Sequence, residues 1–307
     1  MNVNKMKENN VFRNELNSIW KDFDIVEWRN PAFSFKKALV CATFSKVTYW
    51  HMTKFELNNN SRVNIIPSGD YVLHKKNKIC INVVEMLRQA DFDKTFLIET
   101  EFAILIGIVV NEILFIAIRG TENLYDWITD FKILMKKGGS KTRIKYHRGF
   151  YNATLETLPK LQEKLDKLNG HFRSIYITGH SLGGGIAAIL NSIMGDNSEF
   201  RIKNTSTLKN FISHSCYTFG MPKYGNIHAI NFRSPYHIHH LNDFITKVPP
   251  SFFGYRRSNF EYSLENPDPK TNKLNWFSWK KRLTRTRKNH SIDNYLLSIK
   301  SKIQEHQ

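Results

Sequence analysis

The chain has 307 residues, 41% of them hydrophobic and 13% aromatic, enough for one large buried core. No segment repeats at a solenoid period and none is of low complexity, which excludes a repeat array. Lys and Arg number 45 against 27 Asp and Glu; the resulting formal charge of +18 favours a polyanionic partner, either nucleic acid or the anionic face of a membrane.

Residues 1–30 are polar and weakly patterned. "MNVNKMKENNVFRNELNSIW" carries charges but no apolar run, so the stretch reads as a polar N-terminal extension and not as a signal peptide. Cys41, Cys80 and Cys216 are odd in number and far apart, and read as buried thiols of a reducing compartment. Together these features predict a cytoplasmic or intracellular protein, at most peripheral to a membrane. Residues 33–50 have helical spacing, and residues 61–83 suggest short strands around a turn at Pro67-Ser68-Gly69. The longest apolar run, Phe102 to Ile118, would bury Asn111 and Glu112 at the middle of a membrane helix. Rich in Ile and Val, it predicts two adjacent strands turning at Asn111-Glu112 instead.

Leu124, Trp127, Ile128, Phe131 and Leu134 follow at i, i+3, i+4, i+7 spacing, with Asn123 as cap and Gly138 as stop, predicting an amphipathic helix. A second is predicted near residues 153–168, carrying Leu155, Leu158, Leu161, Leu165 and Leu168. A strand and a helix flank Ser181, and "HSCYTFG" and "YHIHHLN" read as further strands. Strands alternating with helices predict an α/β fold, a mostly parallel central sheet with helices on both faces. No linker divides the chain, so residues 1–307 read as a single domain with a basic insert at 266–289.

"YITGHSLGGG" places Ser181 between Gly179 and Gly183 at the junction of a strand and a helix. That is the pattern of a nucleophile elbow, where side chains at either glycine would collide with neighbouring backbone. The serine hydroxyl then stands above the sheet edge, and the N–H of Leu182 at the new helix's positive end points at any oxyanion formed. In chain order an acid and then a histidine must follow. Of 12 histidines, His290 and the penultimate-residue His306 lie after the best acid candidate, and Asp243 alone among the acids directly follows a predicted strand. Elimination leaves Ser181, Asp243 and His290 as nucleophile, acid and base. "HIHH" at His237–His240 invites a metal reading, but no nearby Cys, Asp or Glu except Asp243 completes a ligand set, so no metal and no other cofactor is expected.

The blocks "FIAIRGTENLYDWITDF", "HRGFYNA", "ITGHSLGGGIAAIL", "YTFGMPKYGN", "HLNDFITKVPP" and "NHSIDNYL" together resemble the class 3 (fungal-type) lipases of the α/β-hydrolase fold, over about residues 100 to 297. The resemblance implies a carboxylic ester hydrolase, a lipase or phospholipase that degrades lipid esters through a Ser181-Asp243-His290 triad and an acyl-enzyme. It also implies that Thr121, the residue after "RG", is the first oxyanion donor, with Leu182 N–H the second. The stretch from Glu122 to about Met135 resembles the family's lid, which makes Leu124, Trp127, Ile128 and Phe131 lid candidates; the same stripe fits a helix packed on the core. Gly185 stands where the family often has alanine, a change that loosens the helix start.

Between Lys270 and Lys288 lie eight Lys or Arg and no acid, interleaved with Trp276, Phe277 and Trp279. This composition suits docking on an anionic membrane surface beside His290, with a lipid ester as substrate and no nucleic acid as partner. The alternatives are an esterase or thioesterase for soluble substrates, or a basic nucleic-acid-binding protein on an inactive hydrolase scaffold.

Overall fold

A computed structural model of the chain describes residues 28–51, 63–65, 71–73, 83–90, 92, 94–120, 134–139, 143–195, 208, 211–265 and 289–305. Helix α1 (Phe35–Val47) forms where helical spacing predicts it, and the Ser34 hydroxyl caps it by accepting from Lys37 N–H at 3.1 Å. Trp28 falls within the expected polar extension, yet it is buried edge-on against Phe115 and Tyr176, with ring centroids 5.0 and 4.9 Å away. Its carbonyl accepts from Tyr176 Oη at 2.7 Å. Trp28 is therefore part of the packed fold, since an indole buries too much apolar surface to be left in water.

Strands β1 (Val63–Ile65) and β2 (Tyr71–Leu73) pair antiparallel, while the turn expected at Pro67-Ser68-Gly69 lies outside the described residues. Helix α2 (Val83–Gln89) precedes β3 (Thr95–Glu99). The apolar run becomes β4 (Ala103–Val110) and β5 (Ile113–Gly120). Asn111 and Glu112 join them with φ of 45° and 63°, the two positive values that a type I′ hairpin turn requires. Met135–Lys137 is a strand, β6, paired with β7 (Lys145–His147), so a helix does not continue from Leu124 through Met135. Leu124, Trp127, Ile128 and Phe131 lie outside the described residues.

Helix α3 (Arg148–Lys167) starts ahead of its leucine stripe because the imidazole of His147 accepts from Phe150 N–H and caps the first turn. Strand β8 (Ser174–His180) and helix α4 (Leu182–Ile193) come next, then β9 (Ser215–Phe219), α5 (Ile227–Phe232), β10 (Tyr236–His240), β11 (Phe260–Leu264) and α6 (Ile292–Glu305). The central sheet runs β11-β10-β9-β8-β5-β4-β3. From β5 to β11 all neighbours are parallel, and β4 is antiparallel to both β3 and β5.

Because β5 is buried on both faces, its sequence is a nearly unbroken apolar run rather than an alternating one. On one face Leu158, Leu161, Ile186 and Ile189 from α3 and α4 pack over Ile116 and Ile177. On the other, Ala38, Phe44, Ile292 and Ile299 from α1 and α6 pack over Phe115, Tyr176 and Ile238. This is the α/β-hydrolase arrangement, and it brings the ends of β8, β9 and β10 to one rim. Among the described residues no helix is long and apolar enough to cross a membrane. Cys41 and Cys216 are buried thiols, and Cys80 lies outside the described residues.

Candidate active site

The turn from β8 into α4 holds Ser181 at φ 58° and ψ −130°, a backbone conformation costly for any residue with a Cβ. Its N–H donates to Phe219 O at 2.9 Å and its carbonyl accepts from Gly184 N–H at 3.0 Å, so the neighbouring strand and the new helix hold it there. A Cβ at Gly179 would lie 2.4 Å from Gly183 O, and one at Gly183 would lie 2.1 Å from Ile118 O. Both are backbone atoms that cannot yield, which is why both flanking positions are glycine. Gly185 has a different reason: the Phe150 ring fills the space that an alanine methyl would take, 2.7 Å away, so the helix start is packed and not loosened.

Fifty and more residues downstream, β10 ends in the turn that carries Asp243, and His290 stands just ahead of α6. The structure brings both to Ser181. His290 Nε2 is 2.7 Å from Ser181 Oγ, and His290 Nδ1 is 2.7 Å from Asp243 Oδ2. All three side chains are buried. With Nδ1–H donating to the carboxylate, Nε2 keeps its lone pair for the serine hydroxyl.

Asp243 Oδ1 accepts from Ile245 N–H at 2.9 Å, and Tyr295 Oη donates to Oδ2 at 2.8 Å. Burial and the adjacent carboxylate push the Tyr295 phenol well above its ordinary value, so it remains a donor. Removing that donor in Tyr295→Phe is expected to lower kcat about 10–100-fold, the worth of one hydrogen bond to a charged group, with KM nearly constant. Equal kcat in the two proteins would remove Tyr295 from the site.

Two further imidazoles fix the backbone beneath the base. His180 Nε2 meets His290 O at 2.7 Å while its Nδ1 meets Tyr49 Oη at 2.7 Å. His240 Nδ1 meets Asn289 O at 2.8 Å, and its ring stacks on Tyr295 with centroids 4.2 Å apart. Burial pushes both imidazoles below their usual range, so each is neutral and donates one N–H to a carbonyl. Buried Arg119 donates to His51 O at 2.8 Å and to Thr48 O at 3.3 Å, bracing the turn that presents Tyr49.

Gly220, Tyr295, His180 and His240 escape sequence reasoning. Only Tyr295, five residues after His290 in the same block "NHSIDNYL", had a readable signal. Leu182 is the first residue of α4, and a Cβ on Gly120, the last residue of β5, would lie 2.5 Å from Leu182 Cβ. Thr121 lies outside the described residues, as does the basic segment Lys270–Lys288.

These buried histidines set the acid side of the stability curve. Burial pushes His147 from 6.5 to about 4, so below pH 6.5 the unfolded chain takes up its proton first. The stability it contributes is complete above pH 6.5 and falls by about 1.4 kcal/mol per unit as the pH drops towards 4. Denaturant unfolding at pH 5 should therefore give a stability at least about 2 kcal/mol below that at pH 7. A flat profile would contradict the neutral state assigned to His147.

Residues 115–253 match the family model described as lipase (class 3). A secreted mono- and diacylglycerol lipase 1 from Fusarium solani is 28% identical over 158 residues, which cover 49% of this chain and 43% of that protein. A lipase from Rhizomucor miehei is 26% identical over 165 residues, 52% of this chain and 43% of the relative. The matched region thus spans under half the length of these relatives. A solved mono- and diacylglycerol lipase from Aspergillus oryzae superposes with a TM-score of 0.52 at 19% identity, covering 78% of this chain and 82% of that one, and shares the fold. The expectation of a cytoplasmic or intracellular protein is corrected by these comparisons, because the Fusarium relative is named as secreted. Sparse cysteines and a polar N-terminal stretch do not fix a compartment, since thiols buried like Cys41 and Cys216 are shielded in any of them.

Proposed function

We propose that the chain, whose residues 115–253 match the class 3 lipase model and whose sheet has the α/β-hydrolase arrangement, is a serine hydrolase of lipid esters, acting outside the cell as the secreted relative supports. The observation that carries the reading is the pair of 2.7 Å contacts running from Ser181 through His290 to Asp243. His290 takes the proton of Ser181 as Oγ attacks the ester carbonyl. Asp243 holds the imidazole tautomer and supports the imidazolium. The N–H groups of Leu182 and Thr121 receive the oxyanion; His290 returns the proton to the leaving alcohol, and water then releases the fatty acid. Mass spectrometry of lipid extracts incubated with the purified protein tests this. Free fatty acid should accumulate with the wild type and not with Ser181→Ala, and a serine-directed phosphonate should label only the former. No release and no label would end the proposal.

The relatives' names favour glycerides, and phospholipid remains within the same chemistry. Approach to a lipid surface is supported by the loop after Pro250. There Phe252 is 82% and Phe253 45% exposed, with Arg256 and Arg257 close behind in sequence. The composition of Lys270–Lys288 adds a basic, Trp-containing segment of the same character. Phe252→Ser combined with Phe253→Ser should cut the rate on anionic emulsions several-fold and leave that on a short soluble ester unchanged. Equal losses on both would favour the soluble-ester or thioesterase alternative. Nucleic acid is not an expected partner, and retention on DNA that weakens steeply with salt would argue otherwise.

A further inference from the structure

Away from the serine, one side-chain cluster is left unused by this chemistry. His237 and His239 occupy alternate positions of β10 and share a face, their rings 5.4 Å apart and tilted by only 11°. Across the sheet, Glu261 on β11 is in register with His237. One ligand atom from each of the three lies within 4.8 Å of the others. His239 is 6% exposed, and its Nδ1 is buried without a hydrogen-bond partner among the described residues, a cost that a folded protein seldom leaves unmet. His237 Nδ1 is fixed by Thr218 Oγ1 at 3.1 Å, which leaves Nε2 to bind. An imidazole whose second nitrogen is held by an oxygen is the usual outer-shell pattern of a metal ligand.

We propose that His237, His239 and Glu261 bind a zinc ion that ties β11, the edge strand of the sheet, to β10. Two imidazoles and a carboxylate are a donor set suited to this borderline ion, with the fourth position left to water. Tetrahedral bonds of about 2.0–2.2 Å need ligand atoms roughly 3.4 Å apart, so the three side chains would close in from their present separations of up to 4.8 Å. Glu261 now faces Arg257 Nη1 at 3.2 Å in a partly exposed ion pair, weak enough in water to be exchanged. Arg257 and Lys247 near His239 repel a dication, so binding will be weaker than at a four-cysteine site. The site lies four residues ahead of Asp243 but does not depend on the lipase reading.

Isothermal titration of the metal-stripped full chain with zinc chloride tests the proposal. One zinc per chain is expected, with a melting temperature that rises on addition. Glu261→Gln and His239→Ala should weaken binding at least about tenfold, and Thr218→Val about 10–100-fold, as loss of an outer-shell partner does. The exposed His228→Ala should change nothing. Should His239→Ala fail to fold, Glu261→Gln and Thr218→Val still decide the matter. Absence of saturable binding, or binding that Glu261→Gln leaves intact, overturns it.

Discussion

Alanine at Ser181 is expected to lower kcat on a glyceride ester by about a millionfold, the order seen when the nucleophile of a serine triad is removed. The fold should be unaffected, because the side chain makes no capping hydrogen bond to α4 and the strained backbone is held by Phe219 O and Gly184 N–H. Ser181→Gly should be as inactive and also more stable by about 1 kcal/mol, since glycine adopts φ 58° without the Cβ penalty. An inactive protein that melts above the wild type is the signature of strain held for chemistry. Kinetics on a chromogenic ester and a thermal melt on the same three proteins test both halves. Measurable turnover by Ser181→Ala, or a Ser181→Gly variant less stable than the wild type, would count against the nucleophile elbow.

Gly220→Ala is expected to lower kcat about 10⁴-fold, comparable to losing the acid of a triad, although position 220 donates nothing to the reaction. Its φ is 56°, and a Cβ there would lie 2.9 Å from Asp243 Oδ2 and 3.0 Å from both Cε1 and Nδ1 of His290. The methyl must part the acid from the base or displace the base from Ser181, whose 2.7 Å contact has no slack. Stability should fall by about 1–2 kcal/mol from the positive φ. KM should move little, because the change lies behind the imidazole rather than in the path of the ester. A variant with wild-type kcat would mean that Asp243 and His290 need not hold their present positions.

What the sequence determined by itself is whatever depends on neighbours along the chain. The period of the apolar residues marked α1, β4, β5 and the helix after His147, and Asn111-Glu112 marked the hairpin turn. Glycine spacing marked the elbow, because a strand–turn–helix junction constrains residues within five positions of one another. Chain order then singled out Asp243 and His290, since in this topology successive β-strands deliver their residues to the same rim.

Tertiary structure alone decided what arrives from elsewhere. Tyr295 reaches Asp243 through the packing of α6, and His180 and His240 hold carbonyls more than forty residues away in the chain. Trp28 reads as part of a polar tail until Phe115 and Tyr176 form its pocket. Glu261 lies more than twenty residues from His237 and becomes its neighbour only because β11 adds in parallel beside β10. Contacts of that kind are set by strand order and helix docking, for which the periodicity of a single strand carries no signal.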